Sequence, residues 1–202
     1  VPVVKAFLTD MAMEATGLAV QVHGGHGFIR DTGVEQLMRD AKITCLYEGT
    51  NGIQALDLMG RKVMGSGGAS VRAILAEMQR TMEATPGAAT VPAELTAEVR
   101  RLGREMGELA ALVGSRVPAD PAEVGAAAHD YLNHAAYTLL AWSWWRTLAA
   151  LPAEADPAWL AGKRATARFF FERLVPRAAA HAAAVRAGAG ALMDVDAAAL
   201  LA

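Results

Sequence analysis

Apolar residues recur at steps of three and four along nearly the whole chain, and runs that alternate every second residue are almost absent. That periodicity predicts an all-α protein. Val4, Phe7, Leu8, Met11, Ala15, Leu18, Ala19 and Val22 share one face of a helix over about residues 2–23. Gly24, Gly25 and Gly27 end it, as glycines do at helix C-termini. Val34 to Ile43 predicts a short second helix, and Thr50 to Val63 a third, after the turn Tyr47-Glu48-Gly49. Gly65-Ser66-Gly67-Gly68 reads as a linker. Beyond it the pattern predicts four more helices, over about 69–84, 92–116, 121–151 and 157–187. Leu95, Val99, Leu102, Met106, Leu109 and Val113 form a bundle seam in the second of these. Asp120, Pro121 and Glu123 are the N-cap, first-turn proline and capping acid expected at the start of the third; Asp156-Pro157 repeats that start for the fourth. Pro176 should kink or break the fourth helix.

Composition narrows the class. With 202 residues, 53% hydrophobic, the chain can bury a sizeable core. A net charge of −2 gives no basic footprint for nucleic acid. The single cysteine, Cys45, allows no disulfide within the chain and fits a reducing compartment. No signal peptide is recognisable, and no apolar run is long enough to span a bilayer. The richest stretch, Tyr131 to Leu151, is interrupted by Asn133, His134, Ser143 and Arg146. These features predict a soluble, cytoplasmic bacterial protein. The chain opens on Val1 directly into a helical pattern and therefore reads as part of something longer.

Two short segments carry candidate chemistry. One is Gln21-Val22-His23-Gly24-Gly25-His26-Gly27-Phe28. As local structure it is a glycine-terminated helix and a tight turn; as a site it is bare backbone that a phosphate can approach. It is not a dinucleotide fingerprint, because no strand precedes it. The other is Arg39-Asp40-Ala41-Lys42-Ile43, followed shortly by Tyr47-Glu48-Gly49-Thr50-Asn51-Gly52-Ile53-Gln54. Alone, Glu48 is a surface acid before a glycine, and Thr50 an ordinary N-cap.

Together, in this order and spacing, the segments resemble the acyl-CoA dehydrogenase family, in which Gln-x-x-Gly-Gly-x-Gly-Phe is followed by Arg-Asp-Ala-Lys-Ile and then Tyr-Glu-Gly-Thr. The resemblance is close over residues 1–64 and implies the later helices of that family's C-terminal four-helix bundle, with a helical domain and a β-domain upstream. It implies FAD as cofactor, an acyl-CoA substrate oxidised to the trans-2-enoyl-CoA, and an electron-transfer flavoprotein as acceptor. Glu48 is implied as the base that removes the α-proton, its pKa raised by closure of a desolvated pocket. Its backbone N–H, with the flavin ribityl hydroxyl, would hold the thioester carbonyl, while the β-hydrogen leaves as hydride to flavin N5. Gly49 would let substrate pass close to the backbone. Thr50, and Gly52 through its backbone, would lie at the flavin. Gln21, Gly24 and Gly25 would bind the pyrophosphate or adenosine half of FAD from a neighbouring subunit, which implies a homodimer or larger homo-oligomer. Gly52 departs from the Gln that several relatives carry there.

The chain continues well past the point where most members end. In this it resembles the longer bacterial members with an added C-terminal helical domain, a group that includes the methylthiopropionyl-CoA dehydrogenases. The implied division is 1–64 as the FAD and substrate edge, 65–68 as a Gly-rich linker, and 69–202 as an additional helical bundle. Two other readings compete: an acyl-CoA oxidase-like flavoenzyme, and a non-catalytic helical module for interaction or oligomerisation. No metal is expected, because His23 and His26 lack further ligands at suitable spacing. His129 and His134, five apart, do not share a helix face; one should pack and the other be exposed. Cys45 reads as an inert small hydrophobe, and Trp142, Trp144, Trp145 and Phe169 to Phe171 as core or an oligomer contact. Glu98, Arg101, Arg104, Glu105 and Glu108 read as a solvated face with local pairs.

Overall fold

The computed structural model describes residues 1–200, and every element among them is helical. Helix α1 is Pro2–His23, α2 is the short Gly25–Phe28 and α3 is Val34–Thr44. Helix α4, Asn51–Leu56, runs on as a π-helical segment, Asp57–Val63. Then come α5 (Ala69–Ala84), α6 (Ala93–Arg116), α7 (Ala122–Ala149), α8 (Pro157–Phe169), α9 (Arg177–Ala187) and the short α10 (Gly190–Met193). Most boundaries fall within a residue or two of the periodicity.

Helix α7 is the axis. It packs against α1, α4, α6 and α9. A helix surrounded on all sides needs apolar residues around its whole circumference, and α7 buries Tyr131, Leu132, Trp142 and Trp145 among the alanines 127, 128, 135, 136 and 141. The small side chains let neighbouring helices approach closely. The seam of α6 faces it, with Val99, Leu102, Met106, Leu109 and Val113 all buried. His134 is fully buried and His129 exposed, as their different faces require.

Gly65 to Gly68, expected as a Gly-rich linker, forms an ordered corner. Gly67 and Gly68 take φ of 56° and 76°, a region that favours glycine. The Ser66 and Ser70 hydroxyls both donate to the Lys62 carbonyl, and Arg72 Nη1 donates to the Gly67 carbonyl at 3.0 Å. Residues on both sides of the corner enter one core: Phe7, Ala55, Met59 and Val63 lie in the same cluster as Tyr131, Tyr137 and Val113.

Pro176 acts as expected. It lacks an N–H and cannot continue a helix interior. The chain adapts by widening into a π-helical turn over Phe170–Leu174, where Val175 N–H donates to the Phe170 carbonyl at 3.0 Å, and α9 starts afresh. The two Asp-Pro starts differ. Asp156 caps α8, its Oδ1 accepting from Trp159 N–H at 2.8 Å. At α7 the N-cap is Pro121, and Asp120 instead accepts from Ala122 N–H at 2.9 Å, forming the turn before the helix. Asp156→Ala should therefore lower stability by about 1 kcal/mol, read as a fall in the denaturation midpoint without a change in slope.

Glu105 departs from the expected solvated face. Its carboxylate turns inward and accepts from His134 Nε2 (3.1 Å), Arg186 Nη2 (2.7 Å) and Arg101 Nη1 (3.0 Å), joining α6, α7 and α9. Burial alone would raise its pKa; hydrogen bonds from Arg186, His134 and Arg101 overcome that and bring it down to about 2. Burial pushes His134 the other way, below the usual imidazole range, against the pull of Glu105. The tautomer follows: Nε2 carries the hydrogen toward Glu105, and the buried Nδ1 has no partner for a second proton.

Candidate functional site

The loop from Cys45 to Thr50 joins α3 to α4 and presents Glu48 at its exposed tip. Glu48 is the single non-glycine residue with positive φ, 54°, among the described residues. The left-handed region costs an L-residue roughly 1–2 kcal/mol, so something outside the residue holds it there. Gly49 follows with φ 82°. A side chain at that position would be strained by the backbone angle and crowded, with its Cβ 3.2 Å from Gln54 Nε2.

Three side chains hold this loop: Gln54 and Asn51, to which the motif reading gives no role, and Lys5, which lies outside the motif. Gln54 Nε2 donates to the Glu48 carbonyl at 3.0 Å. Lys5 Nζ donates to the Gly49 carbonyl at 2.8 Å and to Asn51 Oδ1 at 2.7 Å. Asn51 Nδ2 in turn reaches Asp10 Oδ1 (2.7 Å) and Thr9 Oγ1 (2.9 Å) on α1, and Asn51 N–H closes the loop on the Cys45 carbonyl at 3.2 Å. Cys45 is buried beneath, its thiol toward Thr9 and Asp10. Thr50 caps α4, its hydroxyl accepting from Ile53 N–H at 3.4 Å. Glu48 and Gly49 open onto a shallow groove lined also by Ile53, Gln54, Leu56, Asp57 and Arg61. Gly52 lies in the exposed first turn of α4, with nothing within 4 Å of where a Cβ would stand.

The second segment lies at the far end of α1. Gln21 is exposed on its last turn, Gly24 ends the helix with φ 58°, and Gly25 opens α2. Neither Gly24 nor Gly25 has an atom within 4 Å of a would-be Cβ, so open space stands above the bare backbone. Gly27 is glycine for another reason: a Cβ would lie 2.4 Å from the Val20 carbonyl oxygen. From Lys5, beside the Glu48 loop, to Gln21 is 16 residues of helix, or about 24 Å. The two candidate segments thus sit at opposite ends of one rigid helix.

Two family models divide the chain between them. The one described as "Acyl-CoA dehydrogenase, C-terminal domain" matches residues 1–64, and the one described as "Acetyl-CoA dehydrogenase C-terminal like" matches residues 74–196. The chain belongs to the acyl-CoA dehydrogenase family. It is 38% identical over 185 residues to a 3-methylmercaptopropionyl-CoA dehydrogenase of Ruegeria pomeroyi, which covers 87% of this chain and 30% of that protein. It is 30% identical over 187 residues to the broad-specificity linear acyl-CoA dehydrogenase FadE5 of Mycobacterium tuberculosis, covering 87% of this chain and 31% of that protein. A butyryl-CoA dehydrogenase of Syntrophomonas wolfei is 44% identical over 77 residues, 38% of this chain and 13% of that protein. The chain spans about a third of the length of the first two relatives.

Exposed apolar residues are frequent over the first 47 residues. Val4, Leu8, Leu18, Val22, Phe28, Leu37, Ile43 and Tyr47 are all more than half or close to half exposed, with Val22 at 86% and Phe28 at 80%. Of the stripe that the periodicity assigned to α1, Phe7 is buried and Met11 packs against the core.

Proposed function

We propose that the chain is the C-terminal portion of an FAD-dependent acyl-CoA dehydrogenase in which Glu48 removes the α-proton of an acyl-CoA thioester. The observation that carries the reading is the left-handed backbone of Glu48, because strained backbone held against its preference concentrates at functional sites. An α-hydrogen beside a thioester is a weak acid, and it departs when a positioned carboxylate takes the proton while the carbonyl oxygen is stabilised. Glu48 is that carboxylate, and its own N–H is the donor to the thioester oxygen. Gly49 leaves the space beside the backbone through which the thioester passes. FAD, when bound, supplies the hydride acceptor for the β-hydrogen, and an electron-transfer flavoprotein takes the electrons onward.

The residues fit the cofactor. Thr50 and Gly52 stand at the open start of α4 beside Glu48, and Gln21, Gly24 and Gly25 leave bare backbone for a pyrophosphate or adenosine half. Along α1 about 24 Å separates Lys5, beside the Glu48 loop, from Gln21. This spacing supports a reading in which each set serves a different flavin, in a homodimer or larger homo-oligomer. We assign residues 1–64 to the flavin and substrate edge, 65–68 to the corner between regions, and 69–202 to an additional helical bundle, whose last two residues lie outside the described ones. No described helix is long and apolar enough to cross a membrane, and a cytoplasmic location is part of this proposal.

The test is anaerobic titration of the full-length protein with acyl-CoA thioesters. The protein should be yellow, bleach on titration and yield trans-2-enoyl-CoA, with electrons passing to an electron-transfer flavoprotein in preference to oxygen. The 202-residue chain alone should be colourless and inactive. A full-length protein that binds no flavin, or that no short- to long-chain acyl-CoA bleaches, refutes the assignment; rapid hydrogen peroxide formation makes it an oxidase.

A further inference from the structure

Lys5 is an unusual residue for its place. It sits near the N-terminus of α1, where the helix dipole disfavours a cation, and no acid stands in that first turn. Holding a long flexible side chain in one pose also costs conformational entropy. Lys5 makes no ion pair with a carboxylate among the described residues. Its ammonium is spent on two neutral oxygens, the Gly49 carbonyl at 2.8 Å and Asn51 Oδ1 at 2.7 Å. Hydrogen bonds with one charged partner are roughly twice as strong as neutral ones, so this is a firm tie from α1 to the backbone of the loop that carries Glu48.

We propose that Lys5 is a positioning residue for the reaction, clamping the Gly49 carbonyl to α1 and so holding Glu48 in its left-handed, outward pose. The proposal rests on the reading of Glu48 as the base. The two peptide planes that flank Gly49 decide how the chain leaves Glu48. The plane after Glu48 is fixed by Gln54 Nε2 on the Glu48 carbonyl, and the plane after Gly49 by Lys5 Nζ on the Gly49 carbonyl. With both anchored, Gly49 is held at φ 82°, and the chain can leave Glu48, at φ 54°, in one direction only. Lys5 cannot swing away without also releasing Asn51, which bonds Thr9 and Asp10 on the next turn of α1. Removing the ammonium frees the Gly49 carbonyl, and Glu48 is then free to relax toward negative φ, carrying its carboxylate off the line of the α-hydrogen.

Lys5→Met keeps the length of the side chain and removes charge and donor. In the full-length flavoenzyme it should slow flavin reduction by acyl-CoA about 10–100-fold, the scale of a misplacement near 1 Å. Flavin content and the Kd for acyl-CoA should stay as in wild type. The discriminating measurement is the double variant. If Lys5 acts through Glu48, adding Lys5→Met to Glu48→Gln costs nothing further in the residual rate. A wild-type rate for Lys5→Met overturns the proposal, and so does an equal loss in the Glu48→Gln background, which would mark a general supporting role. Glu48→Gln reducing its flavin at the wild-type rate sinks the base assignment and this proposal together. An inactive Glu48→Gln beside a fully active Lys5→Met sinks this proposal alone. Should Lys5→Met fail to load flavin, Gln54→Leu removes the other carbonyl anchor from a half-exposed helical position. The same fall and the same non-additivity are expected there, and a wild-type rate overturns the clamp.

Discussion

Replacing Glu48 with glutamine in the full-length protein is expected to slow flavin reduction by acyl-CoA about 10²–10⁴-fold, the usual cost of losing a general base. Glutamine matches the size of glutamate and tolerates the same backbone pose no worse, so the turn held by Lys5 and Gln54 should persist. The variant should bind FAD, because the residues assigned to the cofactor are Gln21, Gly24, Gly25, Thr50 and Gly52. It should also bind acyl-CoA, since the Glu48 N–H is unchanged. The expected object is a yellow protein whose spectrum shifts with substrate but does not bleach. Bleaching at near wild-type rate would move the base to an acid outside this chain.

The largest loss of stability is expected at Glu105. Glu105→Ala leaves the fully buried His134 and the Arg186 guanidinium without their shared acceptor. Losing this shared acceptor of three hydrogen bonds costs about 1–3 kcal/mol, visible in chemical denaturation as an earlier midpoint. The same cluster gives a pH dependence with a definite sign. Glu105 has a folded-state pKa of about 2 against an ordinary 4.5. Its contribution is therefore complete above pH 4.5 and disappears as pH falls from there toward 2. His134 is held below its ordinary 6.5, so acid begins to favour the unfolded chain as pH drops through 6.5 and the unfolded imidazole takes up a proton first. Both groups destabilise in the same direction. Stability should be flat near neutrality and decline on acidification in two stages, near 6.5 and below 4.5. In Glu105→Ala the lower stage should shrink; an unchanged profile would refute the hub.

Local rules made much of the architecture legible. The seam Val99 to Val113, the Asp156 cap and the Pro176 break each depend on residues within about one helical turn of one another, and each is in the structure where the spacing put it. The motif around Glu48 drew attention to a loop that proves to have an unusual backbone. Its support was not legible, because Lys5 and Gly49 are 44 residues apart and nothing local to Lys5 shows what it will reach. The one available signal was a lysine at the wrong end of a helix. Glu105 had a clearer sign: it stands three residues after Leu102 and four before Leu109, so its helical phase borders the seam. Reading it among its charged neighbours hid that phase. The apolar stripe of α1 shows the opposite limit. Periodicity identifies a face that wants cover, as at Val4, Leu18 and Val22, and is silent on what covers it.

The shared core has a practical consequence for cutting the chain. Helices can be removed without harm only while they hang on as a separate body. Here Phe7 of α1 meets the edge of Tyr137 on α7 with ring centroids 5.0 Å apart, and Met59 and Val63 are buried in the same cluster. Each of these apolar residues is covered while α7 is present and bare once it is gone. A chain cut at the glycine corner would therefore leave an open apolar wound on α1 and α4, so a shortened protein needs those positions redesigned together with the cut.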